Sequence, residues 1–156
     1  MIINGNALRA AAPLHPMLGD KQTAHGVSHG LSEAGYDVRI KQEVLLTPEH
    51  RFTLASTLER FNMPNTLVGV VHDKSTWARQ GLSVLNTVIE PGWRGWLTLE
   101  LVYHGNEPLV IPAGAGIAQV LFYKLAQKAH YAAGKYQDQP DHPVAAQLNL
   151  PETDHD

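Results

Sequence analysis

Short apolar runs separated by turn residues are the feature that most limits how this chain can fold. Between residues 36 and 123 the runs are three to seven residues long, and turn residues such as Pro48, Pro64, Pro91-Gly92 and Pro112 fall between them. The predicted strands cover residues 36–40, 44–46, 52–54, 67–71, 82–85, 96–102, 109–111 and 117–123. Many short strands at this spacing are typical of an all-β sandwich or barrel. The sequence therefore predicts an all-β domain.

Four segments lack this pattern of short apolar runs separated by turn residues. Residues 6–12 predict a short helix that ends at Pro13, and residues 74–81 predict a second one. Residues 13–35 are rich in Gly, Pro, His and Ser and are predicted to be irregular. The end of the chain is polar and contains prolines, which predicts a mobile tail. We therefore expect one β domain over residues 1–139 and a tail over residues 140–156.

Composition narrows the possible functions. The 156 residues suit a single domain, and the charged fraction of 17% is low enough to suggest surface hidden in an oligomer. A formal net charge of −3 gives no overall basic field for DNA or RNA, so no nucleic-acid partner is expected. The absence of cysteine excludes disulfides, iron–sulfur clusters and thiol nucleophiles. Without an apolar leader or a membrane-length apolar stretch, a cytoplasmic protein with no membrane partner is expected.

The first candidate site segment is the stretch D-K-S-T-W-A-R at residues 73–79. Ser75 and Thr76 stand at the expected start of a helix, where free N–H groups and the helix dipole favour phosphate. Lys74 adds a point charge, and Arg79 adds a planar guanidinium suited to oxyanions. The alternative is purely structural: a hydroxyl caps the helix and Arg79 forms an ordinary ion pair.

The second segment, residues 86–101, is predicted to be a hairpin around Pro91-Gly92. The period of two places Leu97, Leu99 and Leu101 on one face of the second strand and leaves Glu100 on the other, with Trp96 and Thr98. A carboxylate beside a cleft can serve as a general base. The alternative is an ordinary glutamate that faces solvent.

The third segment, residues 134–139, is polar and carries Lys135, which can reach a phosphate, and Tyr136 and Gln139, either of which can cover a base. An ordinary linker is the alternative. His25 and His29 are four residues apart, but Gly26 and Gly30 disfavour the helix that would make this a metal-binding spacing. No protein-bound metal is therefore expected.

Together, in this order, these segments resemble the deoxycytidine triphosphate (dCTP) deaminases of the trimeric deoxyuridine triphosphatase (dUTPase) fold superfamily. The matching pieces are GYDVR at 35–39, FTLA at 52–55, LE at 58–59, MP at 63–64, KSTWAR at 74–79, EPGWRG at 90–95, LE at 99–100, GIAQVLF at 116–122 and GKYQ at 134–137. The resemblance implies a distorted jelly-roll-like β-barrel with one or two short helices, assembled as a homotrimer. It also implies that the active sites lie between subunits.

The resemblance also implies roles for single residues. Glu100 is similar to the catalytic glutamate, and Arg79 and Ser75 to the residues that act beside it. The implied substrate-binding residues are Lys74, Ser75, Thr76 and Arg79 for the triphosphate, Thr87 and Val88 at the base, Glu90 for the sugar 3′-hydroxyl with Trp93 beside it, and Lys135 and Gln139 in a closing tail. Mg²⁺ would be carried by the triphosphate, as expected for a cation that keeps its waters.

The chemistry favours a deaminase that works without zinc. Zinc-dependent base deaminases carry an H-x-E and a P-C-x-x-C motif, and this chain has neither. The expected reaction is hydrolysis of dCTP to dUTP and ammonia, in dUTP and dTTP precursor supply, with Glu100 activating water. Asn86, Thr87 and Val88 stand where small residues usually line the base, and residues 140–143 differ from the family ending. A dUTP diphosphatase, a bifunctional enzyme that forms dUMP and a non-catalytic nucleotide-binding regulator remain alternatives.

Overall fold

The computed structural model describes residues 1–132 and 134–148, which form fifteen elements. In chain order these are β1 (Ile2–Ile3), α1 (Gly5–Ala11), β2 (Leu14–His15), β3 (Lys21–Ala24), β4 (Val27–Leu31), β5 (Tyr36–Arg39), β6 (Val44–Leu46), β7 (Phe52–Asn62), β8 (Leu67–Asp73), α2 (Ser75–Ala78), β9 (Leu82–Val84), β10 (Val88–Ile89), β11 (Arg94–Tyr103), β12 (Leu109–Ile111) and β13 (Gly116–Lys124). Among the described residues, no helix is both long and apolar enough to cross a membrane.

The strands form three antiparallel sheets around one apolar core. One sheet has the order β10-β8-β13-β5-β4-β3, with β1 also paired to β13. The second has the order β2-β7-β11-β9, and β12 pairs with β6 in the third. Alternate residues of the long strands point inward, as Leu99 and Leu101 do on β11 and Val120 and Phe122 do on β13. The predicted all-β fold with two short helices is confirmed.

The prediction that residues 13–35 are irregular is wrong. This region contains β2 and a hairpin formed by β3 and β4, in which Lys21 pairs with Gly30 and Ala24 with Val27. The turn residues His25 and Gly26 both have positive φ angles, 53° and 75°, as a type I′ hairpin turn requires. Exposed polar side chains dominate β3 because it is an edge strand, so it lacks the apolar pattern that identifies a strand in sequence.

The predicted hairpin over residues 86–101 is also wrong, although its strands exist. β10 pairs with β8, whereas β11 pairs with β7 and β9. The turn at Pro91-Gly92 therefore carries the chain from one sheet to another. A bulge between Trp96 and Thr98 also breaks the predicted alternation, so Leu97 is only half-buried while Leu99 is fully buried.

Two other elements differ from prediction in length. β7 continues from the predicted residues 52–54 to Asn62, because Ser56, Thr57 and Glu59 are buried polar residues that hide its strand character. Helix α2 is shorter than the predicted 74–81, and the chain turns at Gly81, whose φ is 93°. A Cβ at Gly81 would stand 2.9 Å from the backbone nitrogen of Gly105, so this turn needs glycine.

Residues 137–139 and Val144 contact β11. Gln139 forms a parallel bridge with Gly95, and Arg94 pairs with Asp138 at 3.0 Å. A Cβ at Gly95 would approach the Gln139 nitrogen to 2.6 Å, so glycine at this position permits the close contact. The mobility of the tail stays a prediction, and its residues 149–156 lie outside the described part of the chain.

Candidate active site

A cavity of about 620 Å³ brings together six of the predicted site residues: Thr87, Val88, Glu90, Trp93, Glu100 and Gln139. Its other lining residues are Phe52, Leu54, Val71, Asn86, Ile89, Leu97, Thr98, Tyr131, Tyr136, Val144 and Ala146. The volume lies in the range of small-molecule sites, and the mostly apolar lining with a few polar groups is typical of them.

Glu100 lies in the middle of β11, paired with Leu54 of β7. Its carbonyl accepts a hydrogen bond from the Leu85 N–H at 2.9 Å, and its own N–H donates to Asn86 Oδ1 at 3.0 Å. The strand thus fixes the backbone at Glu100 while the side chain borders the cavity. In the single chain this side chain is exposed, which differs from a base buried in a cleft.

The turn after β10 forms the wall of the cavity next to Glu90. Trp93 is only 5% exposed, its ring centroid lies 6.1 Å from that of Phe61, and its indole N–H donates to the Tyr136 carbonyl at 2.6 Å. The Glu90 side chain is exposed at the same cavity, and its carbonyl accepts from the Trp93 N–H at 3.1 Å. A rigid aromatic wall therefore stands beside a carboxylate that is free to accept a hydrogen bond.

Residues 136–146 close another side of the cavity. Thr98 Oγ1 lies 3.2 Å from Gln139 Oε1, to which it donates, and it accepts from the Val144 N–H at 3.0 Å. Lys135 is exposed and is not among the described lining residues; its ammonium lies 5.3 Å from the centre of the Tyr136 ring and donates to the Gln147 carbonyl. The structure thus brings Gln139 to the cavity but leaves Lys135 outside its lining.

The predicted phosphate-binding residues Ser75, Thr76 and Arg79 form a separate, exposed group on α2 and just after it. Lys74 is the N-cap residue and makes no side-chain capping bond, so the alternative in which a Ser75 or Thr76 hydroxyl caps the helix is excluded. The Trp77 indole N–H anchors the helix by donating to the Gly116 carbonyl at 2.6 Å. Neither hydroxyl is needed to hold α2 in place.

Lys74 points inward instead. Its ammonium contacts Asp37 Oδ2 at 2.5 Å and Ser28 Oγ at 2.9 Å, and its side chain is 11% exposed. This ion pair fixes the lysine beneath α2 and compensates its charge, so in the single chain Lys74 is not placed for a direct phosphate contact.

A second ion pair and a buried histidine lie on the strands β4, β5 and β7. Arg39 pairs with Glu59 at 2.8 Å, and burial raises the pKa of the Glu59 carboxyl although the bonds to Arg39 oppose that rise. Burial also lowers the pKa of His29, with a further contribution from the Arg39 cation, so this histidine favours its neutral form.

The cavity and the α2 group do not meet in one chain. Ser75, Thr76 and Arg79 are all described, and none of them is among the residues found to line the cavity. In the described ranges there is also no group of three or more His, Asp or Glu side chains placed to hold a metal ion. A single chain therefore offers a base-and-sugar-sized cavity with Glu100 beside it, separate from its candidate anion-binding residues.

Thr98 and Tyr131 are two of the lining residues that the sequence did not assign to the site. Thr98 precedes Glu100 by two positions, and the period of a strand places it on the same face, so that spacing was the available signal. Tyr131 reaches the cavity from a loop in which its N–H donates to the Pro91 carbonyl at 2.8 Å. No local sequence pattern predicts such a contact.

Comparison with known proteins connects this site to a family. The family described as "DCD: dCTP deaminase-like" matches residues 21–125. A dCTP deaminase from Chlamydia trachomatis serovar L2 (strain ATCC VR-902B / DSM 19102 / 434/Bu) is 35% identical, and the alignment covers 81% of this chain and 81% of that protein.

Two solved structures share the fold. A 2′-deoxycytidine 5′-triphosphate deaminase from Agrobacterium tumefaciens aligns with a TM-score of 0.62 and 17% identity, over 80% of this chain and 48% of that one. A mutant dUTPase from phage phi11 of S. aureus, whose structure reveals the coordination of a structural Mg(II) ion, aligns with a TM-score of 0.52 and 16% identity, over 67% and 85% of the two chains. The predicted fold, a distorted jelly-roll-like barrel of the dUTPase and dCTP deaminase type, is confirmed.

Proposed function

The chain belongs to the dCTP deaminase family and is a deaminase, and we propose that it hydrolyses dCTP to dUTP and ammonia without zinc. The observation that carries this proposal is the position of Glu100, whose carboxylate borders the same cavity as Glu90 and the buried Trp93. The absence of cysteine supports a route that does not use the zinc site of other base deaminases.

Glu100 is the proposed general base. Its carboxylate takes a proton from water as the water oxygen attacks C4 of cytosine, and it passes this proton to the ring nitrogen N3. Glu100 then moves the proton of the new C4 hydroxyl to the amino nitrogen, the bond between C4 and that nitrogen breaks, and ammonia leaves. C4=O and N3–H remain, as in uracil. Such a base contributes about 10²–10⁴-fold to rate.

The other cavity residues supply binding. Thr87 and Val88, on the segment that leads into β10, face the base, and Glu90 accepts a hydrogen bond from the sugar 3′-hydroxyl, with the sugar packed beside Trp93. Gln139 and Lys135 belong to the segment that covers the bound nucleotide. The residues that contact the cavity from this segment, Val144 included, support a covering role for it.

The triphosphate, as its magnesium complex, is the part of the substrate that a single chain does not accommodate. We propose that Ser75, Thr76 and Arg79 of a neighbouring subunit contact it in a homotrimer whose sites lie between subunits, while Lys74 holds the start of α2 through its ion pair with Asp37. Ser75 and Arg79 would then also stand beside the reacting base. Support comes from the separation of α2 from the cavity and from exposed apolar side chains at Phe52 and Val88 on the cavity rim, 53% and 46% exposed.

Mixing two inactive variants tests the shared site. We expect Arg79→Ala and Glu100→Gln each to be inactive alone, because each breaks every site of its own trimer. When the two are co-expressed in equal amounts, each mixed trimer has one site with both native residues, so random mixing restores about a quarter of wild-type activity. The measurement is ammonia release from dCTP by the purified mixture, against wild type.

The expected species in light scattering is a trimer, with about three times the 17.1 kDa mass of one chain.

As the control for the mixing experiment, co-expression of Glu100→Gln with itself under two different tags must stay inactive. No recovery in mixed trimers that are shown to form would contradict a site built from two subunits. A wild-type protein that releases pyrophosphate instead of ammonia would contradict the proposed reaction itself.

A further inference from the structure

The chain between β9 and β10 leaves a gap in the strand ladder opposite Glu100. β9 pairs with β11 as far as Val84 and Leu101, and the Leu85 N–H makes one more bond, to the Glu100 carbonyl at 2.9 Å. The main chain then turns away to pair with β8, beginning with Val88. Main-chain pairing between this segment and β11 therefore stops at the residue that carries the proposed base.

The Asn86 side chain fills that gap. Its Oδ1 accepts from the Glu100 N–H at 3.0 Å, and its Nδ2 donates to the Thr98 carbonyl at 2.7 Å. A primary amide has one acceptor and donor hydrogens at about the spacing of a peptide group, so it can take the place of a strand residue. Asn86 thus continues the ladder with its side chain where the backbone has departed.

We propose that Asn86 is a positioning residue for the deamination, holding β11 so that the Glu100 carboxylate stays aligned with the reacting carbon; this inference rests on the proposed role of Glu100. Asn86 also lines the cavity, where an amide is usually expected to read a base. Both ends of this amide bond to β11, which fixes its orientation, and its neighbours Thr87 and Val88 remain the proposed contacts with the base. Asn86 acts through Glu100.

The chemistry of position 86 makes the inference specific. Aspartate has nearly the same shape and keeps an acceptor for the Glu100 N–H, but it has no donor for the Thr98 carbonyl and places charge against that oxygen. Alanine leaves both backbone groups of β11 without their partner. Only a side chain that donates and accepts at this reach closes both bonds.

Kinetics of Asn86→Ala and Asn86→Asp test the inference. We expect kcat for dCTP to fall about tenfold or more in both, since small misplacement of a reacting group is costly, while the Kd of the product dUTP changes less than about threefold. Ser83→Ala is the matched control, because it removes the 3.2 Å contact between Ser83 Oγ and His104 Nε2 beside the same strand pair, away from Glu100. It should keep wild-type kcat.

A double-variant cycle separates positioning from general stability. If Asn86 acts through Glu100, Asn86→Ala should lower single-turnover rates by less than about twofold when Glu100 is already glutamine. An equal loss in both backgrounds, or wild-type kcat in Asn86→Ala, would overturn the inference. If Asn86→Ala does not fold, the same double-variant cycle is measured with Asn86→Asp, which keeps the volume of the side chain.

Amide hydrogen exchange reports on the ladder without any activity. The Glu100 N–H should exchange at least about tenfold faster in Asn86→Ala than in wild type, because its acceptor is gone. Unchanged exchange would overturn the inference even if the protein deaminates dCTP. If the wild type does not deaminate dCTP, the proposed function is contradicted, and the positioning role in deamination is contradicted with it. The exchange rate of the Glu100 N–H would still show whether Asn86 holds β11 in place.

Discussion

Replacing Glu100 with glutamine is expected to lower kcat for dCTP by about 10²–10⁴-fold, with little change in nucleotide binding. Glutamine keeps the shape of the side chain and can still form hydrogen bonds, but it cannot take a proton from water. The backbone of Glu100 accepts from the Leu85 N–H and donates to Asn86 Oδ1, and neither bond involves the carboxylate, so the strand should stay in place. The measurement is kcat by ammonia release, beside the Kd for dUTP.

Glu107→Gln is the matched control, because it makes the same chemical change in an exposed loop glutamate that is not among the cavity residues. It should behave as wild type. If Glu100→Gln deaminates normally, the carboxylate is structural and the base is elsewhere. If the Kd for dUTP rises together with the fall in kcat, the variant has lost the assembled site, and the role of base is unsupported.

Arg79→Lys is expected to lower kcat/KM for dCTP by about 10²-fold although the charge is kept. The proposed task of Arg79 is to meet phosphate oxygens with a planar fork of N–H donors, and an ammonium group cannot reproduce that geometry. Loss of a preorganised donor to a negatively charged group is typically worth about this factor. Steady-state kinetics with dCTP over a range of concentrations measure it.

Arg9→Lys supplies the control for Arg79→Lys, since Arg9 lies in α1 and bonds to Gly19 and Asn6. That variant should retain wild-type kcat/KM. A folded Arg79→Lys protein with near wild-type kcat/KM would remove Arg79 from the site. The proposal that α2 of one subunit supplies catalytic residues to the site of its neighbour would then lose its support from Arg79.

The sequence predicted the fold well where apolar residues and turn residues alternate. Residues 44–46 and 109–111 are strands with the predicted bounds, because short apolar runs between turn residues leave little other choice. It failed at β3, where edge-strand side chains face water and carry no apolar pattern. It also paired β10 with β11, because a turn in the sequence does not tell which sheet each strand joins.

The sequence predicted the parts of the site that lie close together in the chain, but not those that depend on contacts between distant segments. The residues assigned to the base and sugar, such as Glu90, Trp93 and Glu100, do border one cavity, since they lie on one turn and the strand after it. The inward ion pair of Lys74 with Asp37 could not be predicted, because it depends on a strand remote in sequence. The exposure of Glu100 and its separation from α2 likewise depend on three-dimensional arrangement, which local spacing does not encode.

The most direct test of the central claim is the fate of the water oxygen. With dCTP and magnesium in ¹⁸O-labelled water, the proposed attack at C4 predicts dUTP that carries one ¹⁸O in its uracil base and none in its phosphates, with an equal amount of ammonia. Mass spectrometry of the product nucleotide and its fragments locates the label. Label in dUMP phosphate or in pyrophosphate, without label in the base, would show attack at phosphorus and contradict deamination by this site.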